Sequence, residues 1–289
     1  MTALKRVFGL ALGAAIAAVA PAQQPNKGGR QPVEPIRLVK PGLYVIAGAG
    51  ANSEVRVTGE GLIVVDGKLG GETVYDDLMA QVKSVSNLPV KYLIVTHHHA
   101  DHTGNNDKFR AAGVEIIGHE NLKKNLETYR ANPVPAPPTV TYAGTSHTVR
   151  LGAIEVQVDH FGRAHTSGDS VVYFPDLKVV AVSDVVTTGA TGPLADYAGG
   201  GSFAEWPRVL DSILKLDFDA CIPGNGGVLT KADVQAYKAK IETFLSRAKE
   251  AVRNGVPKDQ LLSEIKTDDL GWMPRVPVVD PFYAELSQK

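Results

Sequence analysis

The chain has 289 residues, with 30 Lys and Arg against 31 Asp and Glu and a formal charge of -1. Hydrophobic residues make up 44% and charged residues 21%, a globular composition that excludes a disordered chain, a collagen-like repeat and a disulfide-stapled miniprotein. Such an even charge balance supplies no field to draw nucleic acid to the surface.

In chain order, residues 1–22 read as a secretory signal peptide. Lys5 and Arg6 precede an apolar run from Val7 to Ala20, and Ala20-Pro21-Ala22 offers small residues for cleavage. The run is shorter than the roughly 20 apolar residues that span a bilayer. The expectation is cleavage near Ala22, export to the periplasm or the medium, and no membrane anchor on the mature chain. Residues 23–36, rich in Pro, Gly and Gln, read as a linker. Residues 37–289 read as one domain with a C-terminal helical extension.

Short β-rich runs come first in that domain: Leu43–Ala47, Glu54–Thr58 and Leu62–Asp66, the last two joined by a Gly59-Glu60-Gly61 turn. Thr73–Val85 predicts a helix, with Val74, Leu78, Val82 and Val85 at helical spacing. A continuous apolar strand, Val90–Thr96, precedes a short helix (Asn105–Ala112), a strand (Val114–Gly118) and a helix (Asn121–Arg130). Pro133, Pro135, Pro137 and Pro138 then impose an extended loop.

The second half predicts strands at Ile154–Asp159, Ser170–Phe174 and Val179–Ser183, then a Gly-rich loop over 187–201. Helix Phe203–Leu216, strand Asp219–Ile222, the long helix Lys231–Asn254 and a short helix Lys258–Lys266 follow. Met273–Pro281 reads as a Pro-rich tail over the surface. Two successive halves of strands followed by helices imply an α/β fold, two sheets face to face with helices outside. Cys221, the sole cysteine, falls in an apolar stretch and reads as a buried strand residue.

Histidine is unevenly spread. The chain has eight, and four of them fall in His97-His98-His99-Ala100-Asp101-His102. An apolar strand ends there in polar residues, and loops at the carboxyl ends of such strands are where function collects. In an extended loop His97 and His99 can point the same way. Asp101 and His102 follow a bend and can face a second ion. Imidazole and carboxylate without thiolate suit Zn²⁺, and Fe or Mn less well. A tag remnant would sit at a terminus, and an accidental tract would not explain the ligand-like residues further on.

The segment His97-x-His99-x-Asp101-His102 resembles the signature of the metallo-β-lactamase-fold superfamily. The order of later motifs is similar too. Gly61-Leu-Ile-Val-Val-Asp66 resembles the strand whose Asp supports the metal loop, and the segment from Gly162 to Asp169 the one supplying a third histidine, His165. Val179-Val-Ala-Val-Ser-Asp184 resembles the strand ending in a bridging aspartate, and Ile222-Pro-Gly224-Asn225-Gly226 a Pro-Gly-His-Gly turn. The resemblance implies an αβ/βα four-layer sandwich, two mixed sheets face to face with outer helices, and a site at one edge. It implies that His97, His99 and His165 hold a first zinc, and Asp101 and His102 a second, with Asp184 between.

Two positions depart from that pattern. Asn225 stands where histidine is usual, and an amide oxygen is a poor substitute for imidazole on zinc. The second site is therefore open between weak binding, another metal and no metal. Ser183 replaces the usual Gly. His98 is expected to point away from its neighbours, His160 to be structural or superficial, and His119 and His147 to be ordinarily placed.

Three neutral ligands leave zinc its charge and an open position, where a water ionises near neutral pH. The expectation is a zinc-dependent hydrolase acting with a metal-bound hydroxide on an ester, thioester, lactone or related small acyl substrate. Asp101 would orient that water or take its proton. Asp184 resembles the glyoxalase II, lactonase and general hydrolase branches, with β-lactam hydrolysis the nearest alternative. A mononuclear iron dioxygenase and a non-hydrolytic metal protein stand as other classes. Tyr197, in the Gly-rich loop, is expected beside the substrate, opposite the loop around Gly48–Ser53. No Gly-x-Ser-x-Gly elbow supports a serine hydrolase, and Ser53 replaces the third glycine a dinucleotide site would need. Nothing in the sequence indicates an oligomeric state.

Overall fold

A computed structural model describes residues 31–189 and 191–287. The leader read over residues 1–22, and the linker as far as residue 30, lie outside the described residues.

The first half contains β1 (Arg37–Lys40), β2 (Leu43–Ile46), β3 (Ser53–Val57), β4 (Leu62–Val65), α1 (Val74–Lys83) and β5 (Val90–Ile94). After these come α2 (Ala100–Thr103), α3 (Asn106–Ala111), β6 (Glu115–His119), α4 (Glu120–Thr128) and β7 (Val140–Tyr142). The second half contains β8 (Ser146–Leu151), β9 (Ile154–Asp159), β10 (Val171–Phe174), β11 (Val179–Ser183), β12 (Thr191–Leu194) and α5 (Trp206–Leu214). It ends with β13 (Ala220–Pro223), α6 (Lys231–Arg253), α7 (Leu261–Glu264), β14 (Met273–Arg275) and α8 (Val279–Ser287).

Strands β1 to β7 form one seven-stranded sheet in sequence order, and the second sheet runs β13-β11-β10-β9-β8. Both are mixed: β4, β5, β6 and β7 pair in parallel while β1 to β4 are antiparallel, and β11 pairs parallel with β13. The alternation of side chains explains why β4 is apolar throughout. Ile63 and Val65 face the second sheet, joining Val158, Val172, Phe174 and Ile222. Leu62 and Val64 face outward against Leu78 and Val82 of α1 and Phe109 of α3. A third cluster packs α5, α6 and α8 on the second sheet through Trp206, Ile213, Ile241, Phe244 and Phe282. Helix, sheet, sheet, helix: the fold is the αβ/βα sandwich.

Local chemistry sets the element ends. Thr230 caps α6 in a capping box, its side chain accepting from Asp233 N while Thr230 N donates to Asp233 Oδ2 at 2.8 Å. Gly255, at φ +78°, lets the chain turn away at the other end.

Five strands escaped the periodicity reading. β1, β7, β12 and β14 are only 3–4 residues long, β12 falling inside the stretch read as a Gly-rich loop, and β8 is an edge strand of Ser-His-Thr-Val-Arg-Leu with little apolar signal. The tail also differs from expectation, since it ends in α8 and not in a surface wrap. Pro281 lies in the first turn of α8, where a missing N–H removes no helical bond, and Phe282 is fully buried.

Candidate metal centre

β5 ends at Ile94, and Thr96 to His98 continue as buried, bending chain into His99, which caps α2 with extended backbone (φ −65°, ψ 150°). The short helix then carries Asp101 and His102 back over the strand ends. From the second sheet, the β9–β10 connection supplies His165 and the end of β11 supplies Asp184.

Three ring nitrogens meet here. His97 Nε2 lies 3.2 Å from His99 Nδ1 and 3.2 Å from His165 Nε2, and His165 Nε2 lies 2.9 Å from His99 Nδ1. The other nitrogen of each ring is engaged elsewhere. His97 Nδ1 is 3.2 Å from Thr96 Oγ1, His165 Nδ1 is 2.7 Å from Leu194 O, and His99 Nε2 is 2.9 Å from Asp196 Oδ2. Burial, reinforced by the neighbouring imidazoles, holds His97 and His165 well below the ordinary histidine range. Both rings are therefore neutral at pH 7, the form that offers a lone pair.

A second group adjoins the first. His102 Nδ1 lies 2.6 Å from Asp66 Oδ2, while its Nε2 is buried with no hydrogen-bond partner among the described residues. Around that nitrogen stand Asp101 Oδ2 at 3.6 Å and Asp184 Oδ1 at 3.7 Å. The other Asp184 oxygen lies 3.6 Å from His165 Nε2, so this carboxylate stands between the two groups. Burial alone would depress His102, but the Asp66 and Asp101 carboxylates raise it to about 10. Burial raises Asp184.

Asp66 organises the floor. It sits at φ +56°, accepts from Thr96 N at 2.8 Å through Oδ1, and has Thr96 Oγ1 2.7 Å from Oδ2. Ser183, at φ +48°, places its hydroxyl 2.8 Å from Thr96 Oγ1, a left-handed position where the departure from glycine leaves a hydroxyl in the network.

The remaining expected residues lie further out. Asn225 is exposed, and its amide and backbone oxygens accept from Thr188 Oγ1 at 3.3 and 3.0 Å. Tyr197 turns its hydroxyl onto Glu285 of α8 at 2.9 Å. His98 faces Asp196 at 3.4 Å from Nε2 to Oδ2, on the side of His99 away from the other two histidines. His160 stacks on His119 with ring centroids 4.0 Å apart.

Sequence reasoning missed Asp196, Lys68 and Tyr129. Lys68 is fully buried, donating to the carbonyls of Ile46, Gly48 and Ala51 at 2.8, 2.9 and 2.6 Å. Tyr129 accepts from Ala100 N at 3.1 Å and packs its ring against His98. None stands at a diagnostic spacing. A lysine two residues after the strand-end Asp66, in an otherwise apolar stretch, is the nearest thing to a signal. A cavity of about 620 Å³ opens beside His98 and Asp196, lined also by Asn125, Tyr129, Arg130 and Gly199 among others.

The profile of the Metallo-beta-lactamase superfamily matches residues 49–244. The alpha subunit of 2,4-dinitroanisole O-demethylase from Nocardioides sp. (strain JS1661) is 28% identical over 172 residues, 59% of this chain and 51% of that one. Metallo-beta-lactamase IND-1 of Chryseobacterium indologenes is 27% identical over 168 residues, 56% of this chain and 65% of that one. The chain thus spans 51% and 65% of the lengths of these two relatives. A solved metallo-beta-lactamase from Pontibacter korlensis shares the fold with a TM-score of 0.63 at 19% identity, covering 73% of this chain and 99% of that one. Since the matched span contains His97, His99, His165 and Asp184 and exceeds half the sequence, the chain belongs to the metallo-beta-lactamase superfamily.

Proposed function

We propose that this protein is a zinc-dependent hydrolase of a small acyl substrate, an ester, thioester or lactone. The observation that carries the reading is the convergence of His97 Nε2, His99 Nδ1 and His165 Nε2 within 3.2 Å of one another, each ring's second nitrogen being held elsewhere. The three imidazoles fit a cation, and the buried His102 Nε2, 3.6 Å from Asp101 Oδ2 and 3.7 Å from Asp184 Oδ1, fits a second ligand set with those carboxylates. A divalent cation bound there supplies Lewis acidity and lowers the pKa of water from about 15.7 to about 7.

The chain's own groups do the rest. Asp101 has a 38% exposed side chain at the open edge of the cluster, where its carboxylate orients the attacking water and takes up its proton. The 620 Å³ cavity is of a size that holds a small organic molecule, with the Tyr129 ring as an apolar wall and Arg130 and Asn125 as polar contacts for the non-reacting end. No helix among the described residues is long and apolar enough to cross a membrane. We place the protein's work outside the cytoplasm, on the strength of the leader pattern in residues 1–22.

A second reading has its own observation. His97, His102 and Asp184 form a two-histidine, one-carboxylate group, a donor set that suits non-haem iron. Metal analysis of the purified protein, beside a panel of aryl ester, thioester, lactone and β-lactam substrates and an oxygen-consumption assay, separates the readings. Zinc with acyl hydrolysis is the expected result; iron with oxygen uptake would replace it. His165→Ala is expected to lose both metal and turnover, and retention of both would sink the proposed centre.

A further inference from the structure

His99 differs from its two partners in presenting Nδ1 and not Nε2 to the cluster. A neutral imidazole carries one proton, so Nδ1 has a free lone pair only when the proton sits on Nε2. That nitrogen lies 2.9 Å from Asp196 Oδ2, on a carboxylate that can only accept. The same oxygen lies 3.4 Å from His98 Nε2.

We propose that Asp196 is a positioning residue that holds His99 in its Nε2–H form, and that α8 keeps Asp196 in place through Glu285. The first claim rests on reading His97, His99 and His165 as cation ligands. The second follows from how the loop is tied down. Asp196 N donates to His165 O at 2.9 Å, Gly201 N to Asp196 O at 2.7 Å, and Ala198 N to Asp196 Oδ1 at 3.1 Å. Two residues earlier, Leu194 O meets His165 Nδ1, so one short stretch orients two of the three rings. That stretch is strapped from outside by the C-terminal segment. Leu194 pairs with Arg275 of β14, and Glu285 Oε2 accepts from Tyr197 Oη at 2.9 Å and from Ala204 N at 3.2 Å. Phe282, fully buried between Phe203 and Phe244, anchors the helix that carries Glu285.

Asp196→Asn tests the proposal, because an amide can offer an N–H to His99 Nε2 and drive the imidazole proton to Nδ1, facing the cation. Cation affinity is measured by chelator competition with Zn²⁺ and by the absorption spectrum of the Co²⁺ form, with circular dichroism as a check on folding. Asp196→Asn is expected to bind about 10–100-fold more weakly with an altered Co²⁺ spectrum. Glu285→Ala and Tyr197→Phe are expected to shift affinity the same way by less. His165→Ala runs in parallel. If it too keeps the cation, the three-histidine reading falls; if it loses the cation while Asp196→Asn binds as the parent does, only the positioning role falls. Loss of one whole equivalent with the remaining affinity unchanged would make Asp196 a ligand of its own cation with His98 and overturn the proposal. Should Asp196→Asn fail to fold, parental affinity in both Glu285→Ala and Tyr197→Phe would overturn the strap.

Discussion

Asp66 and His102 meet at 2.6 Å, carboxylate Oδ2 against imidazole Nδ1, entirely out of solvent. The contact decides which way the ring faces: Nδ1 toward β4 and Nε2 toward Asp101 and Asp184. The same carboxylate receives Thr96 N and Thr96 Oγ1, so it also fixes the point where β5 gives way to the histidine segment.

Asp66→Asn should therefore act at two levels. An amide cannot accept on both sides, and at least one buried hydrogen bond to a charged group is lost, at about 1.5–3 kcal/mol of folding stability. The ring of His102 also loses its orientation, which should weaken cation binding about 10–100-fold. Urea unfolding with and without chelator separates the two effects. Parental stability and metal content in this variant would show that Asp66 does neither job.

The turn after β13 leads to a prediction about close approach. A Cβ on Gly224 would lie 1.8 Å from Asp184 Oδ1, far inside contact distance, so Gly224→Ala must move the carboxylate or the turn. Turnover and metal content should both fall steeply, while α6, which starts only after Thr230, keeps its helical signal. Asn225→His is the complementary change. It puts an imidazole on the turn that abuts Asp184 and is expected to raise the metal content toward a second equivalent. Unchanged stoichiometry would mean that position 225 serves Thr188 alone.

Much of this was legible in the sequence where one physical cause acted locally. The apolar runs of β4 and β5 must be buried on both faces, and polar residues immediately after such a strand have to be at a sheet edge, which located His97 to His102. Asp196 was not legible, because its role arises only when a loop from the second sheet lies over the first. Tyr197 was read from its loop as a substrate contact, yet its hydroxyl partner is Glu285, 88 residues away. The tail was misjudged because Pro281 and Pro277 suggested no helix, while the deciding feature was a pocket of Phe203 and Phe244 for Phe282.

His119 predicts an acid limb of stability. Its Nδ1 accepts from Asn121 N at 3.2 Å, capping α4, and Nε2 lies 3.3 Å from Gly144 O, the pattern of a neutral ring. Burial, and then the stacked His160, bring it from 6.5 down to about 4, with Glu120 and Lys124 as weaker charged neighbours. The unfolded chain thus takes up this proton first as pH falls. The stabilisation is complete above pH 6.5 and is lost progressively toward pH 4. His119→Asn keeps a capping side chain without the titration. Its urea midpoint, measured on metal-free protein, should fall less than the parent's between pH 6.5 and 4. Parallel curves would place the acid sensitivity elsewhere.

Lys68 makes the strongest claim on stability. Its three ammonium protons are matched by three backbone carbonyls, those of Ile46, Gly48 and Ala51, with no solvent exposure. Burial brings the ammonium down to about 8, against the raising influence of Glu54 and Asp66, so it is largely charged at neutral pH. Lys68→Met fits a similar volume but leaves three carbonyls unmatched and two buried acids without their cation. The expected loss is about 3–5 kcal/mol, since each buried carbonyl left without its partner costs about 1–3 kcal/mol. Release should concentrate in the segment from Gly48 to Ser53, whose Asn52 clasps the carbonyls of Pro223 and Gly226 at 2.9 and 3.1 Å. Limited proteolysis should then cut that segment before any other, and metal affinity should drop with it, since Gly50 packs against Asp101. A variant that unfolds at the parent's urea concentration would show that the three hydrogen bonds contribute nothing net, and that packing of the lysine stem alone holds the loop.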